Sequence, residues 1–208
     1  MNRKNLFASA LVAATMAAVA GSIAVAQPGK DSKAPAPSAQ PEMKLPPGWT
    51  EADMEACMIA GTPGSMHELL AKDVGMWNGK CTMWMAPDTE PMASECTYKV
   101  TSVMDGRYIK SEMAGEMPGM GPFTGEAITG FDNVSKKFVG TWIDNHSTGI
   151  MYGTGVLSTD GKTLTWNYTY NCPVTQKPAA MRQIERNTGP GTKTLEMFGA
   201  DPKSGKEF

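Results

Sequence analysis

The sequence is poor in the residues from which most chemistry is built. It holds two histidines, His67 and His146, at unrelated positions, and no H-E-x-x-H, G-x-S-x-G or phosphate-binding glycine loop. A catalytic triad or a two-histidine metal site therefore has little to build on. Cysteine is present four times but never as C-x-x-C, so neither a zinc ribbon nor a thioredoxin-type redox pair is written into the chain. Charge is nearly balanced at −2, and no basic run follows the first residues; nucleic acid, whose phosphates demand a stripe of cations, is not an expected partner. Beyond residue 26 there is no apolar stretch long enough to span a bilayer. No cofactor is implied.

What is present begins with Arg3 and Lys4, followed by an uncharged run from Leu6 to Ala26 that closes on Ala24-Val25-Ala26. Charged, apolar and small-residue parts in that order make a secretory signal, cleaved after Ala26. The run is mostly alanine and is broken by Ser9, Thr15, Gly21 and Ser22, which leaves it far less apolar than a membrane anchor. Residues 27–48 then carry six prolines, from Pro28 to Pro47, and almost nothing large to bury; such a segment cannot offset its ordering entropy and reads as a tether. Residues 49–208 remain for one domain with a single core. The expected location is periplasmic or secreted, and there the default state of cysteine is the disulfide.

Thr50 followed by Glu51, Ala52 and Asp53 reads as a helix start, with a stop at Gly61-Thr62-Pro63-Gly64. A second short helix, from Ser65 to about Lys72, places Met66, Leu69 and Leu70 at helical spacing. After Gly75 the period changes to two and stays there: Leu164, Trp166, Tyr168 and Tyr170 alternate with Thr163, Thr165, Asn167 and Thr169. The alternation predicts strands over 76–86, 93–104, 107–115, 123–131, 137–143, 148–157, 162–170, 180–187 and 193–198, with turn pairs such as Asp105-Gly106 and Asp160-Gly161 between them. The fold class is all-β, an antiparallel up-and-down barrel preceded by one or two short helices, since so long a meander either exposes two edges or closes. Asp201-Pro202-Lys203-Ser204-Gly205 is a further turn with only Lys206, Glu207 and Phe208 after it. Either the chain is a fragment lacking a last strand, which is the favoured expectation, or the barrel has an open seam.

Four cysteines allow three disulfide connectivities, and sequence does not choose among them. A hairpin folded about Pro87 to Pro91 would bring Cys81 and Cys96 onto one face of neighbouring strands, leaving Cys57 and Cys172 to pair by elimination.

Gly75-Met76-Trp77, opening the first predicted strand straight after a helix, resembles the G-x-W start of the calycins, the lipocalin-like barrels. Together with Asp105-Gly106-Arg107, the Phe123 to Phe131 strand, Trp142-Ile143-Asp144 and Asp160-Gly161-Lys162-Thr163-Leu164, it resembles the DUF1579 family, bacterial domains of unassigned function placed among the calycins. The resemblance covers roughly residues 65–208. It implies a calycin-like barrel closed at one end by Gly75 and Trp77, with a cavity opening at the other, and it carries over no catalytic residue. It also implies a basic residue from a late strand over Trp77, which the sequence does not name.

Three candidate sites follow. The interior, lined by aromatics and methionines that include Met85, Tyr98, Trp142, Trp166 and Tyr168, would hold a small apolar or amphipathic molecule. Arg107, Trp142 and Asp144 would gather near one rim as a polar anchor, or simply close a hairpin end as an ion pair. Met83 and Met85, on one face of a strand, offer two thioethers to Cu(I), although methionine is also an ordinary core filler. An enzyme of unrecognised type has only the Arg107, Trp142 and Asp144 grouping behind it, and a binding module is the favoured expectation. The oligomeric state is not legible.

Overall fold

The structure, a computed structural model, describes residues 4–8 and 45–208. The rest of the expected signal peptide, and the expected tether up to residue 44, lie outside the described residues. The described residues form two helices, α1 (Glu51–Gly61) and α2 (Ser65–Ala71), and ten strands: β1 (Lys4–Ala8), β2 (Gly75–Met83), β3 (Met92–Val103), β4 (Tyr108–Met117), β5 (Gly121–Asp132), β6 (Lys137–Asp144), β7 (Met151–Leu157), β8 (Thr163–Cys172), β9 (Lys177–Gly189) and β10 (Thr192–Gly199).

From β2 to β10 each strand pairs antiparallel with the next, and the sheet curls into a barrel. All nine strands predicted from the alternation are present, most of them moved at their ends by one to three residues. Helix α1 starts where the capping pattern placed it: the Asp53 amide donates to Thr50 Oγ1 at 3.2 Å, and the Thr50 amide donates to Asp53 Oδ2 at 2.8 Å. That reciprocal pair satisfies two amides the helix cannot serve itself, and the Thr50 hydrogen bonds lower the Asp53 carboxyl pKa.

The seam differs from expectation. The slot between β2 and β10 holds β1, parallel to both, with Lys4 opposite Trp77 and Ala8 opposite both Cys81 and Leu195. The turn at Asp201 to Gly205 forms, its Gly205 amide donating to Asp201 O at 2.8 Å, and the chain returns to bridge Glu207 to Ala200.

The helices sit at one end of the barrel. Leu70 of α2 is buried with Trp77, Val100 and Ile109 in the core, while α1 buries no residue of its own. Helix α1 is held instead through its C-terminal carbonyls: Asn133 Nδ2 donates to Ala60 O and Thr62 O at 3.2 and 2.8 Å, and Arg107 Nε donates to Gly61 O at 3.0 Å. These are orphan acceptors at the end of the helix, satisfied from the turns that precede β4 and β6. Among the described residues no helix is long and apolar enough to cross a membrane.

Candidate functional site

Alternate residues of every strand from β2 to β10 turn inward, and they do not fill the barrel. They enclose a cavity of about 360 Å³, at the lower end of the usual range for ligand pockets, whose aromatic lining is Trp77, Tyr98, Phe123, Phe138, Trp142, Trp166 and Tyr168. The rings are placed by glycines on the neighbouring strand. Gly153 faces Tyr168 and Gly155 faces Trp166 in the β7–β8 register, and a Cβ at either would come within 2.4 Å of the Tyr168 ring or 2.9 Å of the Trp166 ring. The space that a side chain would need at these glycines is taken by indole and phenol rings lying on bare backbone.

Trp77 closes the helix end. Its Nε1 donates to Asp73 O at 2.8 Å, and Lys193 of β10 brings Nζ to 5.9 Å from its ring centroid while ion-pairing with Asp73. The basic partner that the calycin resemblance implied but left unnamed thus has a counterpart in Lys193.

One face of β9 changes the chemistry of the interior. Met181, Gln183 and Glu185 point inward. Gln183 Nε2 donates to Glu185 Oε1 at 2.8 Å. Burial raises the Glu185 pKa; Lys193 opposes the rise, Asp73 adds to it, and the Gln183 amide and the nearby Trp166 indole favour the charged form. Trp166 Nε1, itself fully buried, falls short of hydrogen-bond geometry with any partner. Tyr98 and Tyr168 are also pushed up, first by burial and then by neighbouring charges that include Glu185. Four polar side chains and an indole N–H therefore converge in a chamber whose wall is mostly apolar. Sequence reading missed Glu185, Gln183 and Lys193 because β9 alternates Arg182, Ile184 and Arg186 against Met181, Gln183 and Glu185, so neither face is plainly apolar.

Of the expected lining residues, Tyr98, Trp142, Trp166 and Tyr168 face the cavity and Met85 does not. Met85 lies beyond the end of β2 and is 46% exposed, whereas Met83 is 6% exposed, so the two thioethers do not share a face. The polar rim grouping is divided as well. Trp142 Nε1 donates to Asp144 Oδ2 at 2.9 Å near the end of β6, but Arg107 sits at the helix end, donating to Gly61 O and Met104 O. In an up-and-down barrel the start of β4 and the end of β6 lie at opposite ends, so Arg107 does not meet Asp144.

All four cysteines are free thiols. Cys81 and Cys96 lie diagonally rather than directly opposite, Cys81 facing Ser94 and Cys96 facing Gly79, yet their Sγ atoms are 3.2 Å apart. The pair shares its protons unevenly: the hydrogen bond between the two lowers the Cys81 pKa and raises that of Cys96. Around them pack Met83, Met113, Met117 and Phe123. The expected pairing of Cys57 with Cys172 is corrected. Cys57 is exposed on α1 at the helix end, and Cys172 is buried where β8 ends at the opposite side. His67, on α2, is buried, with Nδ1 accepting from the Gly64 amide at 3.0 Å; His146 packs its ring edge-on against Phe123 at 5.5 Å. Among the described residues no three His, Cys, Asp or Glu side chains converge as a metal-ligand set.

A ligand-sized chamber with an inward-facing carboxyl on a β-barrel wall defines a class of barrel rather than a reaction. The family model described as "Protein of unknown function (DUF1579)" matches residues 62–208, and the chain belongs to that family. No curated protein and no solved structure matches it.

Proposed function

We propose that this protein is exported and that its barrel, built on the calycin plan, holds a small apolar or amphipathic molecule. The observation that carries the binding reading is the cavity of about 360 Å³ with its aromatic wall, since interiors that serve only as cores pack to near-crystalline density. Native mass spectrometry of the purified protein tests it: a retained small molecule is expected, and a chain that stays empty when offered apolar probes overturns it.

Export rests on the N-terminal pattern of Arg3, Lys4, the run to Ala26 and its small-residue close. Cell fractionation with N-terminal sequencing should find Gln27 as the first residue outside the cytoplasm. Cleavage there removes β1 and leaves β2 and β10 with the seam between them. In an oxidising compartment the Cys81 and Cys96 thiols would close into a disulfide.

A second reading has its own observation. Met83 belongs to a buried cluster with Cys81, Cys96, Met113 and Met117, a soft-donor set of the type Cu(I) prefers. Anaerobic titration of the reduced protein with Cu(I) should show one site that is lost in Cys81→Ser; binding unaffected by that change removes this reading.

A further inference from the structure

The cavity is apolar over most of its wall, yet the inward-facing carboxyl of Glu185 is poorly served. Glu185 lines the cavity on β9 and has a single hydrogen-bond donor, Gln183 Nε2 at 2.8 Å, whereas an ionised carboxylate accommodates about four. The cation nearest to it in the lining, Lys193, is already ion-paired with Asp73 and lies over the Trp77 ring. Lys72 and Lys162, the other lining cations, are exposed at the helix-end rim. Inside the chamber the surroundings of Glu185 are aromatic: the Trp166 indole comes near it, and Tyr98 and Tyr168 both feel its charge. Neither phenol oxygen hydrogen-bonds to a protein group among the described residues. A carboxyl that is desolvated on a cavity wall and left with free acceptor sites costs stability unless something supplies donors. Aromatic faces and a carboxylate together favour an ammonium group.

We propose that the cavity selects an amphipathic amine, whose protonated head seats at Glu185 among Tyr98, Trp166 and Tyr168 while its hydrocarbon body runs toward Trp142 and Phe123. The inference rests on the barrel-binding reading and narrows its ligand to organic cations. The ammonium supplies the donors Glu185 lacks, and the phenol oxygens accept from the same head. An alcohol of equal length gains the apolar contacts but only one neutral hydrogen bond. A fatty carboxylate meets Glu185 as a like charge.

The test uses the full chain and three probes of equal chain length, octylamine, octan-1-ol and octanoate, followed by tryptophan fluorescence, since Trp142 and Trp166 line the cavity. Octylamine should bind about tenfold or more tighter than octanol, as expected for a charge-assisted over a neutral contact, and octanoate weakest. In Glu185→Gln, nearly the same shape, the preference for the amine should vanish while octanol affinity stays. An amine no better than the alcohol, an amine preference that survives in Glu185→Gln, or octanoate as the tightest probe overturns the amine assignment and leaves the cavity reading standing. Failure of all three probes to bind overturns both. The wild-type ranking is decisive even where the variant does not fold.

Discussion

The barrel interior is built from two halves that solve packing in different ways. Toward the helices, Trp77, Phe138, Trp166 and Tyr168 interlock with Leu70 of α2, and Trp166 and Phe138 are each only 1% exposed. Toward the other end, Cys81, Met83, Cys96, Met113 and Met117 surround Phe123. Rigid rings with few rotamers hold an open space without collapsing into it, whereas flexible thioethers flow into gaps. The cavity, its inward-facing carboxyl and its lysine-covered tryptophan accordingly belong mainly to the aromatic half, and Tyr98 packs against both.

The comparison breaks most visibly by truncation. Trp166→Ala should cost about 3–5 kcal/mol, the range for removing a buried aromatic, because Gly140 and Gly155 leave only backbone beneath the ring. Met83→Leu in the sulfur half should cost less than about 1.5 kcal/mol, since its volume is conserved in a pliable neighbourhood. Urea midpoints of the two variants check the contrast, and equal losses would dissolve it.

Oxidation should reverse the order of stiffness. The Cys81 and Cys96 sulfurs, 3.2 Å apart, need to approach to about 2.05 Å. Closing that short loop should add about 3 kcal/mol by the chain-entropy account, read as a higher urea midpoint in oxidised than in reduced protein and as the loss of two thiol hydrogens in intact mass. A Cys81→Ala protein should show neither change.

Back in the aromatic half, Gly153→Ala adds a methyl where the Tyr168 ring already lies, 2.4 Å from the new Cβ. The expected cost is about 1–3 kcal/mol, with a red shift or broadening of tryptophan emission as Trp166, 1% exposed and stacked on Tyr168 at 5.5 Å, is displaced.

The outline of both halves was legible because a period of two states which face each residue takes: Leu164, Trp166, Tyr168 and Tyr170 could only be a half-buried strand, and Thr50 with Asp53 could only open a helix. Period two says nothing about height along the barrel, however. Arg107 and Asp144 share a face rule but occupy opposite ends, since consecutive strands run in opposite directions. Met83 and Met85 lost their shared face because β2 stops at Met83, before Ala86-Pro87. Glu185 stayed hidden because both faces of β9 carry polar residues, and only closure of the sheet decides which one looks inward. The parallel seam strand had no local signature at all, since its pairing is wholly non-local.

The smallest expected effect sharpens the comparison through charge. Burial holds the Glu185 pKa above its ordinary value of 4.5 in the folded protein, Asp73 adding to this and Lys193 opposing it. Between the unfolded and the folded pKa the native state binds more protons than the unfolded state, so stability falls as pH rises from about 4.5 through that window. Glu185→Gln carries no titrating group and should flatten the decline, being more stable than wild type on the high-pH side. Met83→Leu should keep the wild-type slope, because no carboxyl belongs to the buried sulfur cluster. Urea unfolding across the window measures both. A decline that persists in Glu185→Gln would place the responsible carboxyl elsewhere, and would remove the chemical distinction between the two halves while leaving their difference in packing intact.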